Sequence, residues 1–218
     1  MIPQSYETNA LPPLRLGDTP ATFTARSTVG PVSLSDYRGR WLVFFTHPAD
    51  FTPVCTSEFV AFANCADQFA ELDCALLGLS VDSLFSHLAW VRAIQDHFDV
   101  AVTFPIIEDP TLEIARTYGM VAPDAADAAT VRSTMILDPN GVLRASMSYP
   151  AEVGRSIPEV MRTVQALQRV HKGSVLAPAD WVPGQDLLCE PAQDATSVLA
   201  GGNSADWFYS TVSDRKPK

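Results

Sequence analysis

Trp41-Leu-Val-Phe-Phe-Thr46 is an apolar run bounded by Gly39 and Pro48, the pattern of a strand buried on both faces. Cys74-Ala-Leu-Leu-Gly-Leu-Ser80 reads the same way. Between them, Phe59, Phe62, Ala66 and Phe69 recur at i, i+3, i+7 and i+10, which predicts one helix with a single apolar stripe. The three elements form a β-α-β unit. A further helix is predicted downstream, where Leu84, Leu88, Val91, Ile94 and Phe98 share a face and Asp82 or Ser83 can cap the start.

Thr130–Leu137 and Val142–Met147 flank Asp138-Pro-Asn-Gly141, whose Asn-Gly step signals a hairpin of two antiparallel strands. Ser156-Ile-Pro-Glu159 has the form of a capping box ahead of Val160, Met161, Val164, Leu167 and Val170, with Lys172-Gly173 as the stop. Two crossovers, a hairpin and a closing helix describe an α/β domain, a mixed central sheet flanked by helices as in the thioredoxin-like architecture. This domain is expected over residues 12–173. From Ser174 the composition shifts to Pro178, Pro183, Pro191, Gly201-Gly202 and the cluster Trp207-Phe208-Tyr209. A segment this short does not readily build its own core. Residues 174–218 are therefore expected to form a small C-terminal arm used for dimerisation.

The chain has 218 residues, 15 Lys+Arg against 25 Asp+Glu, and a net charge of −10. No basic stripe tracks phosphates, so nucleic acid is not an expected partner, and an anionic membrane is disfavoured for the same reason. No apolar run approaches the roughly 20 residues of a spanning helix. The start, Met1 to Pro13, lacks a basic stretch followed by an apolar one, so a cytoplasmic protein is expected. No Gly-rich nucleotide fingerprint occurs, and no bound cofactor is implied.

Cys55, Cys65, Cys74 and Cys189 are spaced by 10, 9 and 115 residues. No C-x-x-C pair exists for a metal or a dithiol, and a chain of this size needs no disulfide framework. Cys65 and Cys74 read as small buried hydrophobes. Cys55 differs. If Thr52 caps the helix, Pro53 falls at the first helical position and Cys55 at the third, where the helix dipole and free backbone N–H groups favour a thiolate. On these local grounds a nucleophile and an ordinary core cysteine are about equally supported. His87, His97 and His171 have no partner at ligand spacing and read as surface or packing residues.

His47-Pro-Ala-Asp-Phe-Thr-Pro-Val-Cys55-Thr-Ser-Glu58 resembles the P-x-x-x-T-x-x-C loop of the peroxiredoxins, and the histidine before the proline resembles the one-cysteine subgroup with a long C-terminal arm. Similar stretches are Gly78–Asp82 with Ser86–Trp90, Phe104–Pro110, Val131-Arg132 before Ile136–Gly141, Tyr149-Pro150, Gly154-Arg155 and Ala177–Trp181. The resemblance spans about Leu14 to Trp181. It implies a thiol peroxidase that reduces hydrogen peroxide and organic hydroperoxides through a sulfenic acid at Cys55. It also implies roles for neighbouring residues. Thr52 would place its hydroxyl beside the sulfur, Arg132 would donate to thiolate and peroxide, and Pro48 would shield the thiolate. Glu58 and Arg155 would orient Arg132, and His47 would hydrogen-bond peroxide or sulfenate.

The implied partners are a hydroperoxide, an external thiol reductant of the thioredoxin, glutaredoxin or glutathione type, and a second copy in a homodimer or a decamer-like ring. Cys189 stands in Leu-Leu-Cys-Glu-Pro191 rather than the Val-Cys-Pro setting of a resolving cysteine, which favours a one-cysteine cycle. Where some members carry a G-x-S-x-G lipase motif, Arg38-Gly-Arg-Trp-Leu42 stands here, and phospholipase activity is not carried over. An oligomeric holdase or redox relay using the same cysteine is the alternative. A dithiol oxidoreductase is disfavoured by the missing C-x-x-C.

Overall fold

The computed structural model describes residues 14–121, 130–200 and 205–214. In chain order the strands and helices are β1 (Thr24–Ser27), β2 (Gly30–Ser33), β3 (Trp41–Thr46), α1 (Pro53–Asn64), α2 (Ala66–Glu71), β4 (Cys74–Ser80), α3 (Leu84–Phe98), β5 (Ile106–Glu108) and α4 (Glu113–Thr117). There follow β6 (Arg132–Leu137), β7 (Leu143–Tyr149), α5 (Ile157–His171), β8 (Leu187–Leu188), α6 (Ala195–Ala200) and β9 (Thr211–Val212). Compact units divide after Ile157. Among the described residues no helix is long and apolar enough to cross a membrane.

The first unit is built on a mixed sheet of order β2-β1-β5-β4-β3-β6-β7. β3 pairs with β4 in parallel and with β6 antiparallel, and β3, β4 and β6 are buried at every position. These are the continuous apolar runs that the sequence marks, and their central place in the sheet explains why they do not alternate. β7 does alternate between exposed and covered residues, as suits an edge strand with one solvated face. The β6–β7 hairpin closes over Asp138–Val142, where Gly141 takes φ +69° and Asn140 N–H donates to Asp138 Oδ1 at 2.9 Å.

The expected single helix after β3 is two. α1 ends at Cys65, whose φ −106° and ψ 2° leave the helical region, and α2 begins one residue later. Phe59, Phe62 and Phe69 keep their inward face across this break and are fully buried. Phe62 stacks on Phe45 of β3 at 4.3 Å between centroids, and Phe59 lies over β4 at Gly78, where an added Cβ would stand 3.3 Å from its ring. Glycine in this buried strand makes room for the helix above it.

A second correction concerns α3. Ser83 is the cap, accepting from Ser86 N–H at 3.3 Å, but of the expected face Leu84, Leu88, Val91, Ile94 and Phe98 only Ile94 is buried, joined there by His87 and Trp90. Leu88 is 44% exposed and Phe98 45%. Apolar periodicity misassigned the face because His87 is a core residue here, held by a buried carboxylate described below.

The second unit contains α5 and a small two-stranded sheet that pairs Leu187 with Val212 and Leu188 with Thr211. Trp181 donates its indole N–H to Gln185 O at 3.1 Å, and its own carbonyl accepts from Arg162 at 3.0 Å.

The inward face of α3 has a direct stability consequence. Ile94→Ala is expected to cost about 2–5 kcal/mol, and Phe98→Ala about 0.5 kcal/mol or less. Urea midpoints read at constant slope would measure both. The opposite ranking would reinstate the Leu88–Phe98 face.

Candidate active site

The site lies at the carboxyl end of the parallel pair β3/β4, where α/β sheets leave a crevice for chemistry. β3 ends at Thr46, whose hydroxyl donates to Val131 O at 2.5 Å and accepts from Ser133 N–H at 3.0 Å. His47 N–H donates to Leu79 O at 3.1 Å, and Thr130 Oγ1 donates to His47 O at 2.8 Å. The loop from His47 to Thr52 is thereby tied on both sides before it reaches α1.

Phe51 takes φ +56° in this loop. A left-handed conformation is uncommon for a bulky side chain, and such positions cost on the order of 1–3 kcal/mol. The turn sends neighbours in opposite directions: Asp50 is 7% exposed, whereas the Phe51 ring is 57% exposed. Thr52 follows as the N-cap residue and Pro53 as the first helical residue, so Cys55 stands at the third position, as its sequence context predicts. The Thr52 hydroxyl does not cap the helix. It donates to Ala49 O at 2.9 Å, which occupies its hydrogen and leaves the oxygen lone pairs as acceptors.

Cys55 has no solvent exposure. Arg132 Nη1 donates to its Sγ at 3.3 Å and to Glu58 Oε2 at 2.8 Å, while Nε and Nη2 both donate to Ala151 O, at 3.0 and 2.7 Å. Arg155 donates from Nε and from its backbone N–H to Glu58 Oε1, each at 2.8 Å, and from Nη2 to Thr46 O at 2.6 Å. Its guanidinium also lies 5.1 Å from the Phe45 ring centroid. Arg132, Arg155 and Glu58 are all 5% exposed or less. Two guanidinium groups share one carboxylate, so one positive charge is left over beside the sulfur. The Cys55 sulfur is the group that Arg132 Nη1 contacts beside Glu58.

The sequence-derived residues Cys55, Thr52, Arg132, Glu58, Arg155, His47 and Pro48 all lie in the first unit. Pro48 is partly exposed. His47 does not stand alone, and this corrects the reading of His87. His87 is fully buried, and its Nδ1 lies 2.8 Å from Asp50 Oδ2, while His47 Nε2 lies 2.8 Å from Asp50 Oδ1. Asp50 N–H in turn donates to Asp82 Oδ2 at 2.7 Å. Sequence reasoning missed both Asp50 and His87. The available signal was His87 and Trp90 at i, i+3, a pair that faces one way on a helix. His97 and His171 are exposed. The ligand-type atoms of His47, Asp50 and His87 fall within 4.8 Å of one another, and each imidazole faces a different oxygen of the one carboxylate at 2.8 Å, the geometry of two hydrogen bonds.

Burial works to raise the Asp50 carboxyl, yet the hydrogen bonds from His47 and His87 outweigh it and hold the group below the carboxylate range. Burial lowers His47 from its ordinary 6.5 despite Asp50. Burial, with a smaller contribution from the Asp73 carboxylate, pushes the Cys74 thiol up to about 12, which suits an inert core cysteine. His47 therefore binds fewer protons folded than unfolded below its ordinary value, so its contribution to stability is present above that value and is lost as pH falls below it. Asp50 adds a second loss only in strong acid, as pH falls through its lowered folded value. The thermal midpoint is expected to decline from about pH 7 to about pH 5, and His47→Asn should flatten that decline, as calorimetry would show.

Comparison with known proteins fits this geometry. The AhpC/TSA family matches residues 16–146, and the C-terminal domain of 1-Cys peroxiredoxin matches residues 166–200. A peroxiredoxin of Aquifex aeolicus is 49% identical over 210 residues, covering 89% of this chain and 94% of that protein. Peroxiredoxin 2 of Caldanaerobacter subterraneus subsp. tengcongensis is 44% identical over 200 residues, covering 89% and 90%. Among solved structures, a yeast mitochondrial 1-Cys peroxiredoxin superimposes with a TM-score of 0.82 at 34% identity, over 92% of this chain and 99% of that one. With a buried cysteine at the start of α1 and relatives of this closeness along most of its length, the chain belongs to the AhpC/TSA family, the peroxiredoxins, and is a thiol-dependent peroxidase.

Proposed function

We propose that Cys55 is the peroxidatic cysteine and that Arg132 is its principal electrostatic partner. The observation that carries this reading is the 3.3 Å contact from Arg132 Nη1 to Cys55 Sγ at the third position of α1. The thiolate attacks the terminal oxygen of a hydroperoxide. An S–O bond forms, the O–O bond breaks, and the leaving alkoxide or hydroxide takes up a proton. The sulfur is oxidised by two electrons to a sulfenic acid as the peroxide is reduced to alcohol or water. Arg132 stabilises the charge that develops on the leaving oxygen, and Thr52, whose hydroxyl hydrogen is given to Ala49 O, leaves its oxygen as an acceptor at the start of α1. Glu58 and Arg155 hold Arg132 in place. Because Cys55 has no exposure, substrate entry requires a local opening of the residues that cover it.

The sulfenic acid is then returned to the thiol by an external thiol through a mixed disulfide, with loss of water. The yeast relative is described as resolving its thiol through glutathione and thioredoxin systems. For this chain a small thiol or a thioredoxin- or glutaredoxin-type protein is the proposed reductant, in the cytoplasm.

The arm from residue 174 onward is proposed as the oligomerisation element of a homodimer, or of a ring built from dimers. Its support is the cluster Trp207, Phe208 and Tyr209, exposed by 48%, 61% and 58%. Trp181 is not available to a partner in the same way, being 1% exposed within a single chain.

Cys55→Ser is expected to abolish peroxide turnover, whereas Cys65→Ala and Cys74→Ala should retain most of it. Arg132→Ala should slow peroxide reduction by about 10²–10³. Without reductant, excess peroxide should add two and then three oxygens to Cys55 by intact mass. Full activity in Cys55→Ser would sink the proposal, and a quantitative Cys55–Cys189 disulfide would replace the one-cysteine cycle. For the arm, full-length protein carrying Trp207→Ser, Phe208→Ser and Tyr209→Ser together should sediment as a smaller species than the wild type. An unchanged sedimentation coefficient would remove the cluster from the interface.

A further inference from the structure

Two buried imidazoles share the Asp50 carboxylate, and among the described residues the other ring nitrogen of each, His47 Nδ1 and His87 Nε2, is buried without a hydrogen bond. An ionised carboxylate only accepts. Both nitrogens that face it, His47 Nε2 and His87 Nδ1, therefore carry hydrogen. His47 is disfavoured as an imidazolium by its burial, so its proton sits on Nε2 and Nδ1 keeps a lone pair. That lone pair belongs to a ring packed 4.8 Å from Phe59 and 5.1 Å from Trp90, between centroids. Phe59 follows Cys55 by one turn of α1. An unfilled, buried acceptor thus belongs to a ring that packs against the helix carrying the reacting sulfur, and an entering O–H would relieve its desolvation.

We propose that Asp50 and His87 are positioning residues that lock His47 in the tautomer with hydrogen on Nε2, so that Nδ1 accepts the O–H of the hydroperoxide and keeps that same hydroxyl when it becomes the sulfenic acid on Cys55. The inference rests on Cys55 being the peroxidatic sulfur. It adds a function for a second histidine 40 residues away from the first in sequence. His87 is needed because the carboxylate has two oxygens to satisfy. Without His87 Nδ1–H, Asp50 Oδ2 would be a buried, unpaired acceptor, and the carboxyl would be driven towards its protonated form. A protonated Asp50 donates to His47 Nε2, which moves the imidazole hydrogen to Nδ1 and turns the acceptor into a donor. The Asp50 backbone N–H, tied to Asp82 at 2.7 Å, fixes where the carboxylate stands but cannot choose the tautomer.

The test is imidazole ¹⁵N NMR on the reduced full-length chain, combined with kinetics under saturating thiol. In the wild type, His47 should show a protonated Nε2 and an unprotonated Nδ1. His87→Asn preserves a donor near the position of Nδ1 and should keep that pattern. His87→Leu should shift His47 towards the Nδ1–H form and lower kcat/KM for hydrogen peroxide about tenfold. Alkylation of Cys55 by iodoacetamide, which brings no O–H to be accepted, should change by no more than about twofold. Asp50→Asn, which can donate to His47, should move the tautomer even if His87→Leu folds poorly. The proposal is overturned if wild-type His47 carries its hydrogen on Nδ1. It is equally overturned if His87→Leu leaves tautomer and peroxide rate unchanged, or if the Asn and Leu variants lose activity equally with the tautomer intact. Each of those results is distinct from wild-type turnover in Cys55→Ser, which would instead remove the peroxidatic assignment.

Discussion

The carboxylate of Glu58, buried between Arg132 and Arg155, is the interaction on which the rest of the site depends. It reaches both guanidinium groups at 2.8 Å. Through them it ties α1 to Thr46 at the end of β3, to Ser133 and Thr134 on β6, and to Ala151 in the loop after β7. Removing one member of such a group leaves an uncompensated buried charge, typically a loss of about 3–5 kcal/mol. The arrangement is also deliberately unbalanced, with two cations to one anion. Besides Glu58 and backbone carbonyl oxygen, Arg132 reaches the Cys55 sulfur.

The sheet is what makes that convergence possible. β3 and β4 run parallel, so both deliver their carboxyl ends to one edge, and β6 runs antiparallel on the other side of β3, so its first residue, Arg132, arrives at that same edge. The hairpin then returns the chain through β7 to the loop bearing Arg155. Cys55 and Arg132 are thus 77 residues apart in sequence yet in contact. At Gly154 this loop packs over α1, where an added Cβ would meet Val54 at 3.4 Å and the Glu58 side chain at 3.7 Å, ordinary contact distances.

Two clusters of buried polar side chains hold the loop and helix start that carry Cys55, and they differ in character. Arg132, Arg155 and Glu58 supply charge-assisted hydrogen bonds in a fixed fork geometry. His47, Asp50 and His87 supply a hydrogen-bond direction, set by which imidazole nitrogen carries the hydrogen. Strain at Phe51 separates the two, turning Asp50 into the core and leaving the aromatic ring outside.

The sequence by itself determined the parts governed by local physics. The apolar runs of β3 and β4, the Asn-Gly hairpin, the limits of α5 and the placing of Cys55 behind Thr52 and Pro53 follow from burial pattern, turn chemistry and capping. The tertiary structure decided what depends on distant neighbours. The four-residue β1 and β2 carry too few buried side chains to show a period. The break at Cys65 preserves the phenylalanine stripe and so leaves no trace in periodicity. α3 turned its histidine inward because a carboxylate 37 residues earlier was waiting for it, and no helical pattern can register a partner that lies outside the helix. That Arg132 and Arg155 divide one glutamate between them was likewise settled only when the strands folded together, since a charge is solvated or buried according to the whole chain around it.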